Sequence, residues 1–183
     1  MPNRAGLLFA RQFLANPRHV GSLVPSSRAL VARMLDRVDW SRVTTAVEYG
    51  PGTGVVTRAM LARMRPDARL FAFEINPDFA RHLTGHVADP RLVVVPASAE
   101  LVGAHVPDGC DLVISCLPLT LMPGPVRQRI LAATAAVLAP GAAMIGYQYS
   151  PVRLGDIKAV FGDVQLRLEP RNWPPAVVYI ARR

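Results

Sequence analysis

The sequence predicts an α/β fold in which a seven-stranded, mostly parallel sheet carries helices on both faces. Three observations predict it. Apolar, β-branched runs alternate along the chain with segments whose apolar residues recur at helical spacing. The first such run closes on an acid followed at once by glycines at alternate positions, Glu48-Tyr49-Gly50-Pro51-Gly52-Thr53-Gly54. A second acid, Glu74, ends the next run, Leu70-Phe71-Ala72-Phe73. A strand, a glycine turn and a helix opening a βαβ unit place a ligand at the carboxyl ends of the strands. The glycines allow positive φ and bring a nucleotide close to the backbone. Their spacing disfavours NAD, because a dinucleotide loop needs a glycine three residues beyond its second, where this chain has Val55 or Thr57.

The elements follow in order. Residues 4 to 15 have helical spacing and stop before Pro17, with Leu7, Phe9, Ala10, Phe13 and Leu14 in one arc and Arg4, Arg11 and Gln12 opposite. Two readings stand: a helix packed on the domain, or an interfacial helix with Phe9, Phe13 and Leu14 in the acyl boundary and Arg11 on headgroup phosphates. Gly21 to Ser27 leads into an amphipathic helix through about Val38, with Ser26 or Ser27 as N-cap; exposed amides there also suit an anion. Val43 to Val47 reads as the first strand and Val55 to Met64 as the helix after the glycine loop. Helices are expected over Asp78 to Val87, Pro123 to Leu138 and Leu154 to Phe161. Strands are expected over Arg91 to Val95, Asp111 to Ser115, Ala142 to Tyr149, Val164 to Leu168 and Ala176 to Ala181. Between them, Ser98-Ala99-Glu100 forms a short acidic turn, and Cys116-Leu117-Pro118-Leu119 follows the fourth strand. The 183 residues read as one domain, with residues 1 to 42 as a helical capping segment.

Composition narrows the function classes. No apolar run reaches the length of a membrane span, and the N-terminus continues into Pro17 and polar residues, so neither an anchor nor a cleaved signal is expected. The expectation is a soluble, cytoplasmic chain. Cys110 and Cys116 flank a predicted strand that holds their Cα atoms about 20 Å apart, too far for a disulfide. His82 and His86 share a helix face with no third ligand, so no metal is expected. The net charge of +8 is uneven: residues 1 to 42 carry seven arginines against Asp36 and Asp39. Such a basic region points to an anionic partner, either nucleic acid or an anionic membrane surface.

The acid entering the loop, the three alternate glycines and the second acid resemble class I S-adenosylmethionine-dependent methyltransferases, which have a Rossmann-like fold. In that resemblance Glu74 accepts both ribose hydroxyls and Ser98-Ala99-Glu100 borders the adenine. It assigns cofactor contacts to Ser22, Glu48, Gly50, Gly52, Gly54, Glu74, Ile75, Ser98, Ala99, Ser115 and Leu117. A narrower likeness rests on Phe13-Leu14-x-x-Pro17-x-x-Val20-Gly21-Ser22-Leu23-x-Pro25-Ser26-Ser27, on Leu117-Pro118-Leu119 and on Tyr147-Gln148-Tyr149-Ser150-Pro151. Together with the glycine loop these resemble the bacterial phospholipid N-methyltransferases. The resemblance implies stepwise methylation of phosphatidylethanolamine towards phosphatidylcholine by a peripheral enzyme, a monomer or weak homo-oligomer, on the inner face of the cytoplasmic membrane. S-adenosylhomocysteine is then the second product.

Methyl transfer to an amine needs a neutral nucleophile, so a group or solvent must take its proton. Tyr147, Tyr149 and Glu100 are the candidates. The tyrosines and Trp173 also suit a methylated cation through cation-π attraction of about 0.5 to 2 kcal/mol each, or they simply finish a core strand. Pro118, Leu119 and Arg153 are the remaining candidate substrate contacts, with Lys158 and Arg171 as further cations for a lipid phosphate. Ribosomal RNA adenine dimethyltransferases are the rival enzyme family, but they place an aromatic where this chain has Leu119. No nucleic acid is therefore expected as partner. A non-catalytic membrane-remodelling module is the other class of reading, and retention of both acids and all three glycines favours an enzyme.

Overall fold

The structure is a computed structural model and describes residues 27–183. The expected contacts at Phe9, Arg11, Phe13, Leu14 and Ser22 lie outside the described residues. Helix α1 (Arg28–Leu35) begins at Ser27, whose hydroxyl accepts from the Leu30 amide at 3.1 Å. It ends three residues before the expected Val38, because the Trp40 indole donates to the Leu35 carbonyl and fills one of the terminal acceptors.

The remaining elements run β1 (Thr45–Tyr49), α2 (Val55–Leu61), β2 (Arg69–Phe73), α3 (Pro77–His86), β3 (Leu92–Val95), α4 (Val102–His105), β4 (Cys110–Ser115), α5 (Gly124–Val137), β5 (Leu138–Gln148), α6 (Leu154–Phe161), β6 (Asp163–Glu169) and β7 (Ala176–Arg182). The sheet order is β3-β2-β1-β4-β5-β7-β6. β7 runs antiparallel to both its neighbours, and the other pairs are parallel. The expected seven-stranded, mostly parallel sheet is thus present. Chain order reverses at β1, between β2 and β4, and a crevice opens outside their carboxyl ends.

Each sheet face has its own core. Tyr49, Phe73, Val113, Met144 and Tyr179 pack with Val102, Ile130 and Ile157 of α4, α5 and α6. Ala46, Leu70, Leu112, Ile114 and Ile145 pack with Leu30, Met34, Val56 and Met60 of α1 and α2. Parallel strands covered on both faces read as continuous apolar runs, which is why the sequence shows them so plainly.

Two boundaries differ from expectation with consequences for the site. β1 extends through Tyr49 rather than stopping at Val47, which puts Glu48 inside the strand and fully buried. β5 starts at Leu138, because Leu138 pairs with Cys110 before a bulge and regular pairing resumes at Leu112 with Ala143. Helix α4 has only four residues, too few to show a period in the sequence. Among the described residues no helix is long and apolar enough to cross a membrane, and no three ligating side chains cluster as for a metal. Cys110 and Cys116 are free thiols.

Candidate active site

The crevice is bounded on one side by the glycine loop and the two acids. Pairing continues past the strand ends: the Gly50 amide donates to the Phe73 carbonyl at 3.0 Å and the Glu74 amide to the Val95 carbonyl at 3.0 Å. The loop therefore leaves a fixed point. Gly50, Gly52 and Gly54 all have positive φ. At Gly52 a Cβ would meet nothing within 4 Å, so the loop is open at that point. At Gly54, the N-cap of α2, φ is +80° and a Cβ would come within 2.7 Å of the Leu83 side-chain methyl in α3, so the position favours glycine.

Glu74 stands between the loop and α3. Its carboxylate accepts from the Gly52 amide at 3.1 Å and from the Asn76 amide at 2.9 Å. Burial pushes its pKa up against those backbone bonds. Glu48 lies deeper. One oxygen accepts from the Thr57 hydroxyl at 2.6 Å, and the other is enclosed with no partner among the described residues. Burial, with Glu74 adding repulsion, pushes the Glu48 carboxyl up to about 7.

These features fit S-adenosylmethionine. An open glycine cradle admits a nucleoside against backbone, and a carboxylate on loop amides sits where ribose hydroxyls would compete for it. An enclosed carboxylate oxygen lacking a donor suits a ligand bearing positive charge. Of the other expected contacts, Ile75 is exposed, Ser98 caps the short turn that begins at Ala99, and Ala99 is buried. Ser115 is fully buried beside the Tyr179 hydroxyl. Leu117 lies 3.2 Å from a Cβ built on Gly50, so the loop after β4 touches the glycine loop.

The other side of the crevice is formed by the ends of β4 and β5. The rings of Tyr147 and Tyr149 meet edge to face, centroids 5.6 Å apart. Gln148 between them is buried and points to the other face, where its amide bonds the loop after β4. Glu100 is held in an ion pair with Arg129. Leu119 has no exposed surface and lies in the core, so it backs the loop instead of facing a ligand. The exposed side chain of that loop is Leu121. Arg153 is exposed and without an ion pair among the described residues. Trp173 is 82% exposed at the turn between β6 and β7.

Three side chains of the site escaped the sequence reading. Thr57 carries a signal of a kind, a hydroxyl in the first turn of the helix after the loop. Gln148 stands within a quoted motif, but nothing local marks an amide between two tyrosines as buried. Arg127 resembles any helix arginine, yet it is buried, bonds Asp156 at 2.6 Å and donates to the Leu119 and Met122 carbonyls.

Comparison with known proteins agrees with this geometry. Residues 46–141 match the family model described as a methyltransferase domain. An ornithine lipid N-methyltransferase of Singulisphaera acidiphila is 30% identical over 181 residues, covering 96% of this chain and 94% of the relative. This chain belongs to the class I S-adenosylmethionine-dependent methyltransferases. Within that family its full-length relative is a lipid N-methyltransferase, in line with the narrower resemblance in the sequence. Two solved structures share the methyltransferase's fold. The N-methyltransferase NodS of Bradyrhizobium japonicum, solved with S-adenosylhomocysteine, has a TM-score of 0.67 at 13% identity and covers 99% of both chains. A precorrin-6y C5,15-methyltransferase of Geobacter metallireducens has a TM-score of 0.72 at 15% identity, over 90% of this chain and 92% of that one. S-adenosylmethionine is the methyltransferase's cofactor.

Proposed function

We propose that this methyltransferase N-methylates the free amine of a membrane lipid headgroup. Ornithine lipid and phosphatidylethanolamine are the two candidate acceptors, the second passing through its mono- and dimethyl forms towards phosphatidylcholine. The observation that carries the reading is the full-length likeness to an ornithine lipid N-methyltransferase. Both candidates bring a primary amine close to an anionic group, so they ask the same of the site.

When bound, S-adenosylmethionine supplies a methyl group on a positively charged sulfur, open to in-line attack. The chain's own residues bind and orient. Glu74 would hold the ribose hydroxyls, Ser98 and Ala99 would border the base, and the buried Glu48 would favour the positively charged cofactor on losing its proton. Leu117, against the glycine loop, and Ser115 would border the cofactor, and Pro118 would line the acceptor side. Tyr147 and Tyr149 present ring faces and edges to an ammonium that gains methyls. Glu100 is committed to Arg129, so solvent is the better-supported acceptor of the departing proton, with the tyrosine hydroxyls able to relay it. Because a lysine-like ammonium is neutral in only about one molecule in a thousand at pH 7, transfer quickens as pH rises towards 9.

The exposed indole of Trp173, with Arg171 two residues before it, and the exposed Arg153 suit an interface where an aromatic sits among anionic headgroups. We place the protein as a peripheral enzyme on the inner face of the cytoplasmic membrane. The test offers purified protein and labelled S-adenosylmethionine to vesicles containing ornithine lipid, to vesicles containing phosphatidylethanolamine and to structured ribosomal RNA. Label on a lipid amine is the expected result and identifies the acceptor. Label in RNA alone, or in no acceptor while cofactor is bound, overturns the reading.

A further inference from the structure

We propose that Gln148 is a positioning residue for the methyl acceptor, its amide clamping the loop after β4 at a fixed distance from the tyrosine pair; this rests on the acceptor side assigned under the proposed function. Strand alternation sends Gln148 to the face opposite Tyr147 and Tyr149. Its side-chain oxygen accepts from the Thr120 amide at 3.2 Å and from the Thr120 hydroxyl. Its nitrogen donates to the Leu117 carbonyl at 3.3 Å. One buried amide therefore satisfies a donor and an acceptor on either side of Pro118, a task that neither a carboxylate nor an ammonium performs.

The far side of the same loop is held independently. Arg127 donates to the Leu119 carbonyl at 3.3 Å and the Met122 carbonyl at 2.7 Å, and is itself fixed by Asp156 of α6. The loop's internal turn, with the Leu119 amide on the Leu117 carbonyl and the Leu121 amide on the Pro118 carbonyl, completes the frame. Leu117 reaches the glycine loop, so the loop touches the cofactor half at one end and is bonded to the strand bearing the tyrosines at the other. The position of the loop relative to the end of β5 is set by the length of one glutamine side chain. An acceptor amine held between that loop and the tyrosine pair would meet the methyl in line only if this position is kept, and a displacement near 1 Å costs about 100-fold in rate.

The test compares wild type with Gln148→Met, which keeps the volume and removes all three bonds, and with Thr120→Val, which removes only the hydroxyl bond. Expected for Q148M is a loss of about 10- to 100-fold in kcat/KM for the lipid acceptor, with the dissociation constant for S-adenosylhomocysteine within about twofold of wild type. T120V loses about threefold, and adds nothing on the Q148M background, because the bond it removes is already gone. The Thr120 amide exchanges with deuterium about 10-fold faster or more in Q148M while the core strands stay protected. Wild-type acceptor kinetics in Q148M overturn the proposal, as does cofactor affinity falling in step with transfer. Failure of the lipid reading appears separately, as no label transferred by wild type to either lipid. The Thr120 exchange rate then decides the clamp alone, and an unchanged rate overturns it.

Discussion

The ends of β1 and β2 and the ends of β4 and β5 face each other across one crevice, yet they are built by different means. On the first side the proposed binding groups are backbone amides of a glycine loop and two carboxylates, and the glycine loop lies within seven residues of chain. On the second, the shape of the loop after β4 depends on Gln148 and Arg127. These side chains reach it from other elements, Gln148 lying 28 residues beyond Thr120 and Arg127 held by Asp156, 29 residues further on. The difference teaches that the glycine loop is a local property of the chain, with Glu74 joined to it from the end of the next strand, whereas the loop after β4 takes its shape from buried side chains that no local pattern marks. In the proposed function the cofactor is read from the first side and the choice of acceptor resides in the second.

The largest effect should come from Glu74→Ala. If Glu74 holds the ribose hydroxyls as proposed, two charge-assisted hydrogen bonds are lost and S-adenosylhomocysteine binding weakens about 100-fold or more, measured by calorimetry, with the circular dichroism spectrum unchanged. An E74A protein that binds normally would break the division between the halves.

Glu48 sharpens it through pH. A carboxyl raised from 4.5 to about 7 keeps in the folded state a proton that the unfolded chain has lost. Its stabilising effect is full below pH 4.5 and disappears as pH climbs through 7, a change on the order of 3 kcal/mol. Urea unfolding at pH 5 and pH 8 should show this loss in wild type and not in Glu48→Gln. Cofactor binding near pH 7 should also release a proton, visible as a dependence of the calorimetric heat on the buffer.

Glu169 provides a control outside both halves. It is buried at the end of β6, where Arg171 first and Arg33 second hold its carboxyl down to about 2. A lowered acid stabilises above its unfolded value, and that contribution is lost as pH falls from about 4.5 towards 2. Acid unfolding of Glu169→Gln should lack this component while cofactor affinity at pH 7 stays as in wild type. The smallest effect is expected for Trp173→Ala. Stability should move by less than about 0.5 kcal/mol, and sedimentation with anionic vesicles should fall a few-fold.

The same division explains what was legible in the sequence. The parallel strands announce themselves because burial on both faces makes them continuous apolar runs, and the glycine loop does so because positive φ at three alternate positions demands glycine. Both acids stood out from their places at the ends of apolar runs. The depth of Glu48 was not, since it depends on β1 running on to Tyr49. Leu119 was misplaced for a related reason: the sequence marks it as the residue after Pro118, but only the packing of the turn against α5 decides that it points inward. Gln148 and Arg127 are polar residues whose burial depends on partners remote in sequence, and no periodicity records such a pairing.

The most direct test of this division is calorimetric titration of S-adenosylhomocysteine into wild type, Glu74→Ala and Gln148→Met. Wild type and Q148M should bind alike, with E74A weakened about 100-fold or more. Equal binding by E74A, or loss of binding in Q148M in step with E74A, would contradict it.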